Sequence, residues 1–227
     1  MRFAKRELLV AADPTFLRMS LLTSVLVRGI NNLSDARYCA GMGADRLSFL
    51  LDPSLPGYLT PEAVQEISGW IAGVDLLGEF DTLPAAAINE LAQRCNLQGI
   101  LLHRRRTPDE LSKFSLPVLK LIRWIPDMLP EDVDTRFRDQ QAHTSGFVLA
   151  QAPPQPLSPK QLTHLTQQAR TYPMWLGADF ATSTGNSIRQ FVETVRPAGI
   201  VLEGGDEIKP GLRDFSEMEA VFEELEA

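Results

Sequence analysis

Six ionisable residues stand at or just past the end of a short apolar run: Arg28, Glu79, His103, Arg123, Asp179 and Glu203. The two arginines could clamp a phosphate or carboxylate, because a guanidinium presents a rigid fork of donors that is charged at any physiological pH. Glu79, His103, Asp179 and Glu203 could move protons, with Glu79 or Glu203 as the base. The structural alternative is that opposite charges, Arg28 and Glu203 among them, neutralise one another across adjacent strands and fill a pocket. Both readings stay open on the residues alone. His103 by itself is weak, since a histidine at a strand end more often caps a carbonyl. His103, His143, His164, Cys39 and Cys95 fall at scattered spacings that form no metal-ligand pattern. No P-loop, nucleophile elbow or Ser-His-Asp order is present, so neither a metal nor a cofactor is expected.

These residues need strands that all end on one side. Eight apolar runs supply them: 24–29, 46–51, 74–80, 98–103, 117–124, 146–150, 173–178 and 199–203. Each is rich in Val, Leu, Ile and Phe, as strands buried on both faces must be. Between them the apolar residues recur at helical spacing. In the segment beginning at Pro61, Ala63, Val64, Ile67 and Ile71 share a face, and proline suits a first helical turn. Ile88, Leu91 and Cys95 repeat the pattern, as do Ile188, Phe191, Val192 and Val195, and a last helix ends the chain. Eight strands alternating with helices predict an α/β fold, a closed (β/α)8 TIM barrel, rather than an open doubly wound sheet. No Gly-rich dinucleotide fingerprint follows an early strand. One domain, 1–227, is expected, with 1–22 an N-terminal extension that plugs the barrel bottom as a short helix or strand. The Pro-rich stretch 151–159 reads as a loop.

At 227 residues and 44% hydrophobic composition the chain can bury one large core. A net charge of −7 argues against nucleic acid and anionic membranes as partners. Two cysteines, both on apolar helical faces, fit buried thiols in a reducing cytoplasm. No run approaches the length of a membrane span, and the apolar patch near the start is cut by Asp13 and Pro14. The run Arg104–Arg106 reads either as an anion patch or as a solvated loop. The tryptophans are expected in or near the barrel wall, with Trp124 at a strand end where a ligand could stack.

Taken in order, several short motifs resemble the phosphoribosylanthranilate isomerase family of tryptophan biosynthesis, a barrel of the ribulose-phosphate-binding type. VLVRGINN follows the family's K-I-C-G-I-T-N at Val27, Gly29, Ile30 and Asn32. LSDARYCAGMGAD follows its acidic helix start and A-G-A-D, and LPGYLTPE its S-P-R-Y-V-S-P-E through Pro56, Tyr58, Pro61 and Glu62. LLHR keeps a histidine at His103, LKLIR keeps Lys120 and Arg123, and VRPAGIVLEGGDEIKPGLRD follows V-R-P-x-G-V-D-V-S-S-G-V-E…P-G-x-K-D. The resemblance runs from about residue 24 to 215. It implies an intramolecular oxidoreductase, an aldose-ketose (Amadori) isomerisation in which a cysteine base and an aspartate acid move protons at a ribosylamine.

The departures from that pattern are chemical. The cysteine falls on Arg28 and the aspartate on Ala150. The arginine for the anthranilate carboxylate falls on Gly57, and the aspartate near the substrate amine on Val201. Neither an arginine nor an alanine serves as acid or base at neutral pH, and one such loss costs about 10²–10⁴-fold in rate. In the phosphate subsite A-G-G-L reads GADF, so Asp179 replaces a glycine, and S-S-G reads EGG, so Gly204 and Gly205 remain as backbone donors beside Glu203. The resemblance thus implies a pseudoenzyme: a small-molecule-binding, regulatory or scaffold protein, monomer or homodimer, that takes an anionic ligand through Arg28, Arg123, Gly204 and Gly205. The alternatives are an enzyme on a different phosphorylated or carboxylated substrate, with Glu79, His103, Asp179 and Glu203 as its rebuilt site, and a true isomerase whose catalytic residues align elsewhere.

Overall fold

The computed structural model describes residues 21–125, 128–204, 207–209, 212–213 and 215–227. Eight parallel strands run in chain order: β1 (Ser24–Arg28), β2 (Arg46–Leu50), β3 (Asp75–Phe80), β4 (Gly99–Leu102), β5 (Val118–Trp124), β6 (Gly146–Gln151), β7 (Met174–Gly177) and β8 (Gly199–Glu203). Each pairs with the next and β8 returns to β1, closing the barrel. All eight expected runs are strands, with ends within two residues of the sequence reading.

Helices α1 (Leu33–Gly41), α2 (Pro61–Ser68), α3 (Ala85–Arg94), α4 (Pro108–Leu111), α5 (Pro130–Gln140), α6 (Pro159–Thr171), α7 (Asp179–Thr182), α8 (Ile188–Val195) and α9 (Ser216–Leu225) lie in the connections and at the end of the chain. Their starts carry local signals. Thr60 accepts from the Ala63 N–H ahead of Pro61, and reciprocal capping boxes pair Thr107 with Glu110 and Ser158 with Gln161. The segment after β8 holds a small antiparallel pair, β9 (Glu207–Lys209) and β10 (Leu212–Arg213), which the apolar pattern does not reveal.

Strand alternation divides the buried side chains into two layers. Leu26, Leu77, Leu101, Leu119, Leu121, Val148, Trp175 and Val201 fill the barrel interior. Their neighbours one residue along, including Val25, Val27, Leu47, Phe49, Ile100, Phe147 and Leu149, face the helices. Trp175 is large for the interior and is admitted by Gly199, where an added Cβ would lie 2.3 Å from the indole. The Arg46 guanidinium lies 4.7 Å over the same ring.

Trp124 packs between barrel and helices, edge-on to Phe180. There it is fully buried rather than offered to a ligand. Trp70 departs from the expected wall position. It follows the Gly69 cap of α2, past the helix face that packs inward, and is 69% exposed. Cys39 and Cys95 are free and buried, as expected. Residues 1–20, and with them most of the extension assigned to the barrel bottom, lie outside the described residues. Leu21 bridges to Glu226, tying the start of the described chain to its end.

Candidate functional site: a charge network at the barrel mouth

The interior parity that buries Leu26, Leu77, Leu101, Val148 and Val201 continues upward by two residues to Arg28, Glu79, His103, Ala150 and Glu203. On β2, Ser48 has the same inward parity, since Leu47 and Phe49 face the helices. All these strands point the same way, so their last inward side chains meet at one end, where barrels of this class place their chemistry.

Arg28 is at the centre, buried to 7% exposure. Its Nε and Nη2 donate to the two oxygens of Glu79 at 3.1 and 2.5 Å, a bidentate pair, and its Nη1 donates to Glu203 Oε1 at 2.7 Å. Glu203 is the cross-strand partner of Arg28 on β8. Glu79 reaches it from β3 and also accepts from Ser48 Oγ, and its Oε2 lies 2.6 Å from His103 Nε2. His103 Nε2 is in turn 3.4 Å from Arg28 Nη2. The alternative in which the mouth charges pair is realised here, and more extensively than Arg28 and Glu203 alone.

Glu79 is fully buried, which by itself would raise its pKa. The Arg28 charge and the hydrogen bonds from His103 and Arg28 outweigh that burial and hold the carboxyl at about 2. Glu203 moves the other way. Its side chain is 62% exposed, so desolvation pushes its pKa up only at the inner edge of the rim; Arg28 opposes this, and the Glu79 and Asp179 carboxylates add to the rise. The network therefore contains one carboxylate that stays ionised well into acid and one whose proton is held more readily than usual.

The remaining candidates fall outside this centre. Asp179 opens α7, and its Oδ2 accepts from the Gln151 N–H at 3.2 Å. Burial raises its pKa, against hydrogen bonds from the Gln151 and Phe180 N–H groups. It lines a cavity of about 380 Å³ with Ala150, Gly177 and Glu203. The Gly204 N–H donates to the Arg28 carbonyl at 2.6 Å, and a Cβ there would lie 2.9 Å from that carbonyl, so glycine is required for close approach to β1. Gly205 lies outside the described residues. Arg123 is exposed and belongs to a different cavity, beside β4 and β5.

Curated relatives match this chain over most of their length. The N-(5'-phosphoribosyl)anthranilate isomerase of Geobacter sulfurreducens is 28% identical over 201 residues, covering 85% of this chain and 93% of the relative. That of Trichormus variabilis is 27% identical over 207 residues, covering 88% and 97%. The chain is similar to the phosphoribosylanthranilate isomerases over most of its length. Solved isomerases agree on the fold. The Thermotoga maritima enzyme superposes with a TM-score of 0.72 at 20% identity, and the Thermus thermophilus enzyme with 0.70 at 23%, each across 89% of this chain and 98% of the solved one. No protein-family model matches the chain.

Within this phosphoribosylanthranilate isomerase relative, the positions that the resemblance pairs with base and acid, Arg28 and Ala150, are both inward-facing strand ends. Three mouth residues were not singled out from sequence. Ser48 is a lone hydroxyl inside an apolar run. Asp52, just after β2, accepts backbone N–H groups from Ser54, Asp81, Thr82 and Leu83 and so ties two mouth loops together. Lys120 carried only a family match. It is 5% exposed and donates from Nζ to the Leu102 and His103 carbonyls at 3.1 and 2.5 Å.

The basic run also divides. Arg106 is buried and donates to the Asp81 and Leu83 carbonyls, Arg105 pairs with Asp139, and Arg104 is exposed.

Proposed function

We propose that this chain is a phosphoribosylanthranilate isomerase-like barrel that no longer carries out the parent rearrangement and serves as a small-molecule-binding, regulatory or scaffold protein. The observation that carries this reading is the state of Arg28. The isomerisation implied by the family needs a group at this point that takes a proton from the sugar carbon and a second group opposite that supplies one. Arg28 holds its protons at all working pH values, and its guanidinium is already engaged by Glu79 and Glu203. Glu79, the nearest carboxylate, is too weak a base at a pKa of about 2, and Ala150 has nothing to donate.

The test is turnover of freshly generated phosphoribosylanthranilate, followed by loss of its fluorescence. The wild type is expected to show none above background, whereas a competent relative would convert it fully. Measurable wild-type turnover sinks the reading and makes the chain a true isomerase. An Arg28→Cys, Ala150→Asp variant that gains activity means the pocket still accepts the parent substrate.

One observation favours a second reading, an enzyme on another phosphorylated or carboxylated substrate. Glu203 and Asp179 both have raised pKa values and line the same cavity, as an acid and base pair would. Under that reading Glu203→Gln abolishes turnover of the substrate without loss of fold. The cytoplasm is the compartment proposed, from the two free buried thiols. Among the described residues no helix is long and apolar enough to cross a membrane. Monomer and homodimer are both compatible with the reading; one solved relative, from Thermotoga maritima, is described as dimeric.

A further inference from the structure

We infer that the cavity between the ends of β4 and β5 and helix α5 is a binding site for a small polyanion, a molecule carrying two or more phosphate or carboxylate groups. The cavity holds about 540 Å³, the size of a small-molecule site. Its lining includes Arg104, Arg105, Lys120, Arg123 and Arg136, against one carboxylate, Asp81. In a chain of net charge −7, so local an excess of cations needs a reason.

Pairing among the described residues does not provide one. Arg105 is held by Asp139. Arg104, Arg123 and Arg136 make no hydrogen bond or ion pair among the described residues, although they converge on one cavity from the β4–α4 loop, β5 and α5. Three unpaired guanidiniums so arranged repel one another until an anion sits between them.

The buried wall adds a fourth cation. Lys120 uses two donors on carbonyls, which leaves its ammonium a third. Burial holds its pKa down at about 7, Asp81 opposing this and Arg106 and Arg136 reinforcing it, so an arriving anion would restore the charge. His103 joins the cavity to the central network, and its Nδ1 is buried without a hydrogen-bond partner.

This inference goes beyond the loss of isomerisation and does not rest on it; wild-type turnover would leave it standing. Calorimetric titration of the full chain with inorganic pyrophosphate and, separately, with citrate tests it. At least one of the two is expected to bind with a Kd of about 10–100 µM at low ionic strength. Tighter pyrophosphate assigns phosphate chemistry to the site, and tighter citrate assigns carboxylates. Arg104→Gln, Arg123→Gln and Arg136→Gln should each weaken binding by about tenfold or more. These side chains are exposed and have no partner among the described residues, so the variants keep the wild-type urea midpoint. Arg170→Gln, on α6 and outside the cavity lining, is the control and should change affinity by less than about twofold. No heat from either anion up to about 10 mM overturns the proposal, as does an Arg170 variant that weakens binding as much as the cavity variants.

Discussion

Glu79→Ala should destabilise the barrel by about 3–5 kcal/mol, because it leaves Arg28 charged and buried with two of its three carboxylate hydrogen bonds lost. The guanidinium cannot escape to solvent, being 7% exposed and held above a floor of Leu26, Leu77 and Val201. Glu203 can still take Nη1, but Nε, Nη2, Ser48 Oγ and His103 Nε2 all lose the oxygens they now share. Glu79→Gln keeps the shape and one acceptor, and should cost roughly half as much. The pair itself is a different matter. Arg28→Met with Glu79→Leu removes both desolvation costs and should recover most of the lost stability. Urea unfolding of the three variants checks this. A cost below about 1 kcal/mol for Glu79→Ala would mean that water reaches the guanidinium and takes over the role of Glu79.

Acid provides a second check, with opposite signs at the two carboxylates. The folded pKa of Glu79, about 2, lies below its ordinary 4.5. Its contribution is therefore complete above about 4.5 and disappears as pH falls toward 2. Glu203 has a raised folded pKa, so it costs stability once pH climbs past its unfolded value, and that cost is relieved on acidification. Glu203→Gln should accordingly leave neutral stability unchanged or slightly higher. Glu79→Gln should flatten the acid limb.

The barrel was legible because eight apolar runs, each followed by a turn or helix start, leave little freedom in how a chain of this length closes. Much of the mouth was legible for the same reason, since a polar residue two places beyond an inward apolar one must appear at the rim. Arg28 and Glu203 could be paired from sequence because β1 and β8 become neighbours once the barrel shuts. Glu79 was named, but its grip on Arg28 was not foreseen, because it crosses over β2 and depends on how far a guanidinium reaches across a barrel. Ser48 gives no signal, as one hydroxyl in an apolar run looks like a weak strand residue. Arg104, Arg105 and Arg106 looked alike because loop residues have no period to sort them. Three consecutive arginines end in solvent, on Asp139 and in a buried carbonyl cradle. Arg123 follows the rim rule yet opens onto a second cavity, which only the placement of α5 and the loop after β4 creates.

Asp52→Ala should be nearly as damaging as Glu79→Ala, at about 3–4 kcal/mol, although Asp52 touches none of the central charges. Its carboxylate is 1% exposed and accepts the N–H groups of Ser54, Asp81, Thr82 and Leu83 at 2.7 to 3.0 Å, with the Ser54 hydroxyl at 2.7 Å. Burial alone would raise its pKa, but these donors hold it far below the usual carboxylate range. Truncation orphans four backbone donors at once, and each costs about 1–3 kcal/mol if it stays dry. Their position near the rim lets some rehydrate, which is why the total is smaller than their sum. Asp52→Asn should cost about 2 kcal/mol, since its amide group turns donors toward donors. The folded pKa is depressed, so the carboxylate's contribution is present above its ordinary 3.8 and is lost as pH falls below it. Hydrogen exchange supplies the local readout: the amides of Asp81, Thr82 and Leu83 should lose protection selectively. Asp81 and Leu55 also line the basic cavity, so loosening this loop junction should weaken pyrophosphate or citrate binding while every arginine stays in place. A variant with unprotected amides but undiminished anion affinity would separate the loop junction from the site. A variant with protected amides would show that the four donors find water or other partners without Asp52.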